Sequence, residues 1–325
     1  MKKEDIGRRD FLKRSSRVGV AAAVACGLGF WLHSRSRQPG RELTTSQVRN
    51  YGVDIGNDLP KMAVVTGGTP AGLAAAALAA LGGMSKFVSR GDVVVLKPNI
   101  GWDRVPQQAA NTNPELVKAV AQLCFDAGAK KVVVTDVSCN DPRRCFMRSG
   151  IAKAGESVGA TVLLPEERKF RDYRINGELL TVWPVFTPIL EADKVINLPI
   201  VKHHNLARAT MGMKNWYGIL GGRRNQLHQN IDVSIADLAT FVRPTLTILD
   251  AYRVLMTNGP QGGNLDDVKL CKTVVAGVDP VAIDAYGATF LGLQAEQIPY
   301  VLIGHERGLG NKNYSELQVK YVNLE

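Results

Sequence analysis

The sequence predicts an α/β fold in which a mostly parallel sheet is covered by helices on both faces, with a small antiparallel hairpin insertion. Short, continuous apolar runs rich in valine alternate along the chain with helical segments. This alternation is typical of parallel strands that are buried on both faces of a sheet. Residues 168–185 differ, because polar residues alternate there around Asn176-Gly177, a pair that favours a tight hairpin turn.

The individual elements follow from apolar periodicity and from the turn residues that separate them. Strands are predicted at residues 62–65, 92–96, 131–135, 194–196 and 246–249. Helices are predicted at residues 70–81, 114–127, 143–158, 233–241, 279–291 and 297–307. We expect a single domain over residues 58–325, preceded by a polar linker at residues 38–57 and by an N-terminal segment at residues 1–37.

The net charge of +10 is concentrated near the N-terminus. Residues 1–45 contain ten Lys or Arg and four Asp or Glu, which is +6 by subtraction, so the remaining 280 residues carry only +4. No stretch interleaves aromatic with basic residues, as proteins that stack single-stranded nucleic acid do. We therefore expect no nucleic acid among the partners.

A pattern R-R-x-F-L-K begins at Arg8 and is followed by an apolar run at residues 18–32. It resembles a twin-arginine translocation signal, which implies the twin-arginine translocase as a partner. The expected location is then the periplasm or the outer face of the cytoplasmic membrane. The run is short for a stable membrane span and no clear cleavage site follows it, so a removed signal and a retained anchor both stay open. We expect membrane contact only through this segment.

The cysteines exclude one class of cofactor site. None of them has the C-x-x-C spacing of a ferredoxin-type iron–sulfur motif or a structural zinc ribbon. Cys139 and Cys145 lie six residues apart in a loop-like stretch and could close a small disulfide in an oxidising compartment. Cys124 and Cys271 lie in apolar runs, which favours core thiols.

Charged and amide side chains follow almost every predicted strand. In open α/β sheets, ligands bind beyond the carboxyl ends of the strands, so these residues are expected to meet at one edge. The residues at these strand ends, together with one from a neighbouring helix, are Lys97, Asn99, Asp136, Lys202, His204, Asp250 and Asp284. An aspartate after a strand is often only a turn or helix cap, so the prediction depends on the coincidence of the whole set.

Three of the five histidines fall between residues 203 and 228, in a stretch that also contains Lys214 and Asn215. His203 and His204 are adjacent, so on a strand only one of them can face a site. A basic cluster of this kind between glycine-rich turns is typical of a pocket for phosphate, sulfate or carboxylate. A solvated basic loop is the alternative interpretation.

Other common catalytic patterns are missing from the sequence. The glycine-rich loop at residues 66–72 matches neither a dinucleotide-binding fingerprint nor a Walker motif, which favours a plain tight turn. The sequence contains no G-x-S-x-G elbow, and no cysteine lies in an obviously electropositive stretch. A serine or cysteine hydrolase is therefore disfavoured.

A series of short motifs runs in order over roughly residues 61–311. They include G-D-V-V-V-L-K-P-N at residues 91–99, T-N-P at 112–114, A-D-K-V-I-N-L-P at 192–199, K-H-H at 202–204, K-N at 214–215, D-P-V-A-I-D at 279–284 and G-L-G at 308–310. In this order the chain resembles the domain-of-unknown-function-362 family. The family pattern has Lys-Thr-His at residues 202–204, so the resemblance carries over to His204 and makes His203 a substitution. Some relatives carry an added iron–sulfur part whose cysteines this chain lacks.

These observations lead to one hypothesis about an exported enzyme of unestablished reaction that binds an anionic small molecule. The residues assigned to catalysis are Lys97, His204, Lys214 and His228. The residues assigned to substrate binding are Asn99, Asp136, Lys202 and Asn215. Asp250 and Asp284 are the candidates to hold a divalent metal ion or to orient the acid–base group.

Two alternatives stay open. In the first, the protein is not catalytic and binds a cofactor, a metal or a partner of a redox complex. In the second, it is an anchored structural subunit of a larger complex. The sequence does not distinguish these from the enzyme hypothesis.

Overall fold

The computed structural model of the protein describes residues 43–44 and 48–324. The predicted signal at residues 1–37 lies outside these residues. Leu43 and Thr44 belong to the same folded unit as the rest of the described chain, although the sequence assigns them to a linker. None of the helices in this part of the chain is long and apolar enough to cross a membrane.

The strands are short and mostly buried. They are β1 (Leu43–Thr44), β2 (Met62–Thr66), β3 (Val93–Pro98), β4 (Lys131–Thr135), β5 (Thr161–Leu163), β6 (Phe170–Arg174), β7 (Val182–Phe186), β8 (Lys194–Leu198), β9 (Ile200–His204), β10 (Arg208–Thr210), β11 (Leu246–Leu255), β12 (Val268–Gly277) and β13 (Val319–Asn323). The helices are α1 (Pro70–Ala80), α2 (Pro114–Asp126), α3 (Pro142–Arg148), α4 (Ile151–Glu156), α5 (Thr187–Leu190), α6 (Ile231–Phe241), α7 (Pro280–Thr289) and α8 (Pro299–Glu306).

Several helices begin at a capping side chain followed by proline. The pairs are Thr69-Pro70, Asn113-Pro114, Asp141-Pro142 and Asp279-Pro280, and each capping oxygen accepts a hydrogen bond from a backbone N–H of the first turn. Proline suits the first helical position because its missing N–H would have no partner there. These helix starts are therefore encoded locally.

The main sheet has the strand order β13-β2-β12-β11-β8-β3-β4-β5, and β9 and β10 extend it beside β11. Its neighbours pair in parallel except where β12 joins β11 and β2, and where β10 joins β9. The prediction of a mostly parallel sheet is confirmed. Strand β12 itself was not predicted, because its first half is largely exposed and breaks the continuous apolar pattern.

Alternate strand residues point into two separate cores. In β3, Val95 packs in one core while Val94 and Leu96 pack in the other. Helices α1, α2 and α4 cover the second core, and α6, α7 and α8 cover the first. The continuous apolar strands are therefore explained by burial on both faces, as predicted.

The helix predicted at residues 143–158 is two helices, α3 and α4. Gly150 separates them with a φ of +75°, a left-handed conformation that glycine adopts without steric strain. The apolar pattern continues across the break because both helices pack on the same core. For this reason the periodicity did not reveal the interruption.

The predicted hairpin is formed by β6 and β7, which pair antiparallel, and β1 adds to it in parallel. Asp237 of α6 fixes its turn: the buried carboxylate accepts hydrogen bonds from the backbone N–H groups of Glu178, Leu179 and Leu180 at 2.8 to 3.0 Å. It also pairs with Arg307 at 2.8 Å. One carboxylate therefore joins the hairpin, α6 and the end of α8.

We predict that Asp237→Ala lowers the free energy of unfolding by roughly 3 kcal/mol or more, because three backbone N–H groups and a guanidinium lose their acceptor. Urea unfolding followed by circular dichroism measures the change. Glu178→Ala is the matched control, since it removes only the exposed partner of Arg307. That variant should lose less than about 1 kcal/mol. Equal losses in the two variants would contradict the assigned role of Asp237.

Candidate functional site

A cavity of about 890 Å³ opens at the carboxyl edge of the sheet, over the ends of β3, β4 and β9. Most of the residues selected from the sequence line it: Asn99, Asp136, Lys202, His204, Lys214, Asn215 and His228. Lys97, Asp250 and Asp284 do not line the cavity. The strand ends therefore bring the polar residues together at one place, as strand polarity in an open α/β sheet leads one to expect.

His204, at the end of β9, is a buried and uncharged imidazole. Its Nδ1 accepts hydrogen bonds from the backbone N–H groups of Leu206 and Ala207, both at 3.2 Å. Burial, followed by the charges of Lys214 and Lys202, lowers the pKa of His204 from 6.5 to about 2. Because Nδ1 is an acceptor, the proton of the neutral ring is on Nε2. His204 is therefore a hydrogen-bond donor to the cavity rather than an acid–base group near neutral pH.

His228 has the opposite tautomer. Its Nδ1 lies 3.1 Å from the carbonyl oxygen of Asn225, which can only accept, so Nδ1 carries the proton and Nε2 has a free lone pair. Burial, and next the charge of Lys214, lowers its pKa below 6.5. The two imidazole rings stack with centroids 6.0 Å apart and planes at 17°. One ring is thus a donor and its neighbour an acceptor.

His203 lies on the other side of β9. Its Nδ1 accepts a hydrogen bond from the backbone N–H of Gly259 at 3.2 Å, and the residue does not line the cavity. The alternation of side chains along the strand separates the two adjacent histidines.

Lys202 and Lys214 are both buried, and no carboxylate of the described residues forms an ion pair with either. The Nζ of Lys202 donates to Asn99 Oδ1 at 3.0 Å and to the carbonyl oxygen of Ala110 at 2.5 Å. The Nζ of Lys214 lies 4.6 Å from the centroid of the Tyr217 ring. Burial lowers the pKa of Lys202 to about 7 and that of Lys214 to about 8.

Asn99 and Asn215 belong to a continuous series of buried hydrogen bonds. Lys202 donates to Asn99, Asn99 donates to Asn215 at 3.0 Å, and Asn215 donates to Asn197 at 2.8 Å. Asn197 then donates to the carbonyl oxygen of Gly212 at 2.9 Å. The amides of Asn99 and Asn215 are thus hydrogen-bonded to other protein groups. They position the Lys202 side chain rather than face a ligand directly.

Lys97 and Asp136 form a buried ion pair beside the cavity, with Nζ and Oδ1 2.6 Å apart. Asp136 Oδ2 also accepts the backbone N–H of Ile100 at 2.6 Å, and Lys97 donates to the carbonyl oxygen of Pro98 at 3.0 Å. A side chain at Gly218 would overlap Asp136 Oδ1 and place its Cβ 2.5 Å from Lys97 Nζ. The pair requires glycine at this position, and Lys97 does not reach the cavity itself.

Asp250 and Asp284, the candidate metal ligands, lie outside the cavity lining. Asp250 accepts the backbone N–H groups of Asn113 at 2.7 Å and Tyr252 at 2.9 Å. Asp284 accepts those of Gly212 at 2.6 Å and Met213 at 2.9 Å, and so fixes the turn that precedes Lys214. Burial raises the pKa of Asp250 to about 6 and that of Asp284 to about 7.

The donor set does not suggest a metal site. Within residues 43–44 and 48–324, no three His, Cys, Asp or Glu side chains are grouped so that they could hold a metal ion. The carboxylate oxygens of Asp250 and Asp284 face backbone N–H groups instead.

Three further residues of the cavity were not among the predicted site residues. Cys139 is exposed at the cavity, where Arg224 donates to its Sγ at 3.5 Å. Arg224 also donates to the carbonyl oxygens of Val137, Ser138 and Tyr217. Cys139 and Cys145 are both free thiols in the structure. An electropositive cysteine site exists after all, but its arginine is distant in sequence and gives no local signal.

Thr210 of β10 is the third of these residues. The residue borders the cavity, and its Oγ1 is buried without a hydrogen-bond partner among the described residues. Buried hydroxyl groups are nearly always bonded, so this one is exceptional. Thr210 is one of the residues that match the family pattern, but its position at the cavity follows only from the fold.

We predict that His204 makes the stability of the fold depend on pH. Its folded pKa is about 2 and its ordinary value is 6.5, so its contribution is present above pH 6.5 and is lost as the pH falls toward 2. Between pH 6.5 and 5 the wild type should lose roughly 2 kcal/mol that His204→Asn does not lose. Asparagine keeps an acceptor for the turn amides and cannot take up a proton. Urea unfolding of both proteins over this range measures the difference, and parallel pH curves would contradict a neutral, buried His204.

The chain is similar in sequence to a curated relative and distantly similar in structure to two solved proteins. Thylakoid-associated protein sll1697 of Synechocystis sp. is 29% identical over 245 residues, which cover 73% of this chain and 74% of the relative. A lactate racemase apoprotein from Thermoanaerobacterium thermosaccharolyticum aligns with a TM-score of 0.39 at 10% identity over 77% of this chain. A Thermotoga maritima protein aligns with a TM-score of 0.36 at 11% identity over 68% of it. The chain spans only 61% and 57% of these two solved chains.

The family model described as Domain of unknown function (DUF362) matches residues 94–289. This range covers more than half of the chain and contains Lys97, Lys202, His204, Lys214 and His228. The resemblance identified from the ordered motifs is confirmed, and the chain belongs to the DUF362 family.

Proposed function

We propose that the protein is an enzyme that binds an anionic small molecule and transfers a proton to or from it. The observation that carries this proposal is the pair of buried lysines, Lys202 and Lys214, without carboxylate partners, beside two imidazoles in complementary proton states. Burying a cation without an anion is unfavourable, so a negatively charged ligand would supply the missing partner.

The histidines define the chemistry. With Nε2–H, His204 can donate a hydrogen bond to an oxygen that gains negative charge during the reaction. With its free Nε2, His228 can accept a proton as a general base. The depressed pKa of His228, caused first by burial, keeps the ring unprotonated and ready to accept near neutral pH. A binding protein without catalysis would not need this division of roles.

The proposed ligand carries a carboxylate or phosphate group. Lys202 is the residue proposed to bind it, because the Asn99 amide and the Ala110 carbonyl hold its Nζ at the cavity wall. The unpartnered hydroxyl of Thr210 offers a further hydrogen bond. A volume of about 890 Å³ accommodates a ligand considerably larger than a simple inorganic anion.

The place of action is part of the proposal. The R-R-x-F-L-K pattern at the N-terminus supports export of the folded chain by the twin-arginine translocase, with the same segment as the only membrane contact. The Synechocystis relative is described as thylakoid-associated, which supports a function close to a membrane. Cells are fractionated into cytoplasm, periplasm and membranes, and the protein is detected in each fraction. A protein found only in the cytoplasm contradicts this placement.

Anion binding should be coupled to proton uptake. Lys202 has a pKa of about 7 in the free protein, so at pH 8 it is mostly neutral. A bound anion raises this pKa, and up to about one proton per ligand should be taken up by Lys202. Affinity should therefore fall as the pH rises above about 7.

The melting temperature of the protein, measured with each of a panel of carboxylates and phosphates, identifies an anion that binds. Titration calorimetry with that anion, in buffers of different ionisation enthalpy, measures the proton uptake. Lys202→Met should lose both the stabilisation and the uptake. Lys130→Met, which removes an exposed lysine away from the cavity, is the control and should match the wild type. The proposal fails if no anion of the panel stabilises the wild type, or if Lys202→Met responds like the wild type.

The role of His228 as a base is tested by solvent exchange. In D2O, anions from the panel that carry an acidic C–H bond should incorporate deuterium, detected by mass spectrometry. His228→Gln should slow this exchange by about a hundredfold or more while anion-induced stabilisation persists. His305→Gln is a matched control, because His305 is also partly exposed and its Nδ1 also lies 3.1 Å from a backbone carbonyl oxygen. Exchange that survives His228→Gln would show that another group is the base.

A further inference from the structure

The three buried lysines near the cavity are in three different bonding states. Lys97 is paired with Asp136, and Lys202 donates to two neutral oxygens. Lys214 is 7% exposed, and no hydrogen-bond or ion-pair partner among the described residues reaches its Nζ. Among the described residues, its Nζ instead lies over the face of the Tyr217 ring, 4.6 Å from the ring centroid.

The surroundings of Lys214 lower the pKa of its amine. Arg224 and Lys202 are cations that line the same cavity, and the Nζ of Lys214 lies over the Tyr217 ring. Removing an ammonium group from water and placing it beside other cations disfavours its charged form. Burial accordingly lowers the pKa of Lys214 to about 8, so about a tenth of this side chain is a free amine at pH 7 and about half at pH 8. A desolvated lysine next to another cation is a recurring way to make an amine nucleophilic.

The two histidines lie close to this amine. The Tyr217 ring, which the Nζ of Lys214 contacts, has its centroid 5.7 Å from that of the His228 ring. The His228 ring stacks on the His204 ring with centroids 6.0 Å apart. The amine, a proton acceptor and a hydrogen-bond donor therefore border the same cavity. These are the three groups that the formation and loss of a carbinolamine require.

We propose that Lys214 forms an imine with the aldehyde or ketone group of an anionic ligand whose carboxylate is bound by Lys202. This inference rests on the proposed function and specifies its substrate class as carbonyl acids, such as 2-oxo acids. The amine nitrogen bonds to the carbonyl carbon, and the C–O bond then breaks. Both nitrogen protons leave with the carbonyl oxygen as water, so no oxidant or reductant is needed. His228 accepts each proton from nitrogen in turn and returns it to the departing oxygen, while the Nε2–H of His204 donates a hydrogen bond to that oxygen.

Reductive trapping tests the proposal on the full chain. The protein is incubated with pyruvate or 2-oxoglutarate and sodium cyanoborohydride, and the stable secondary amine is located by peptide mass mapping. We expect the label at Lys214, at least tenfold above the average exposed lysine of the same protein. Propionate, which has the carboxylate but no carbonyl group, should reduce the labelling by competition. Because the map is made on the wild type, the result does not depend on whether a variant folds.

Two variants sharpen the result. Lys214→Arg keeps a cation but removes the nucleophilic amine, so it should abolish the site-specific label while thermal stabilisation by the probe anion persists. Lys130→Arg should label like the wild type. Saturable binding without a label at Lys214, a label at Lys202, or an even distribution over surface lysines would overturn the imine and leave the anion pocket intact. Failure of every anion to stabilise the protein would overturn both.

Discussion

The candidate site depends on one series of buried hydrogen bonds that begins at Lys202 and ends at the carbonyl oxygen of Gly212. Asn99, Asn215 and Asn197 stand between these ends, and each donates in one direction and accepts from the other. An amide in such a series cannot be lost without leaving two neighbours unsatisfied in a buried environment. The series therefore ties the ends of β3, β8 and β9 to the turn that carries Lys214. Asp284 holds the same turn from its other side by accepting two backbone N–H groups.

Charge is distributed unequally across this framework. Below the cavity, Lys97 is compensated by Asp136, and the close approach of Gly218 makes that pair possible. At the cavity wall, Lys202 and Lys214 lack such compensation among the described residues. Burial lowers the pKa of all three lysines, and for Lys97 the hydrogen-bonded carboxylate of Asp136 opposes that shift. The same residue type thus has different electrostatic surroundings within one candidate site, according to whether a carboxylate lies beside it.

The histidines show the same principle in their proton positions. His204 and His228 are chemically identical in the sequence, and the sequence hypothesis assigned both to catalysis. Backbone N–H groups face Nδ1 of His204, so its Nε2 carries the proton and is a donor. A backbone carbonyl oxygen faces Nδ1 of His228, so its Nε2 is an acceptor. Local backbone geometry, rather than residue type, separates a ring that donates at Nε2 from one that can accept there.

By itself the sequence predicted the fold class and the edge of the sheet at which most of the selected residues border one cavity. Continuous apolar strands indicate a sheet buried on both faces, and strand polarity places the residues that follow the strands at one edge. It could not show that β12 runs antiparallel through the sheet, that Gly150 divides a helix, or that Asp250 and Asp284 bind backbone amides. Nor could it show that Cys139, Arg224 and Thr210 border the same cavity, since these residues meet only through the fold. Periodicity reports which side of an element is buried, whereas bonding partners and proton positions depend on residues distant in sequence, which only the tertiary structure brings together.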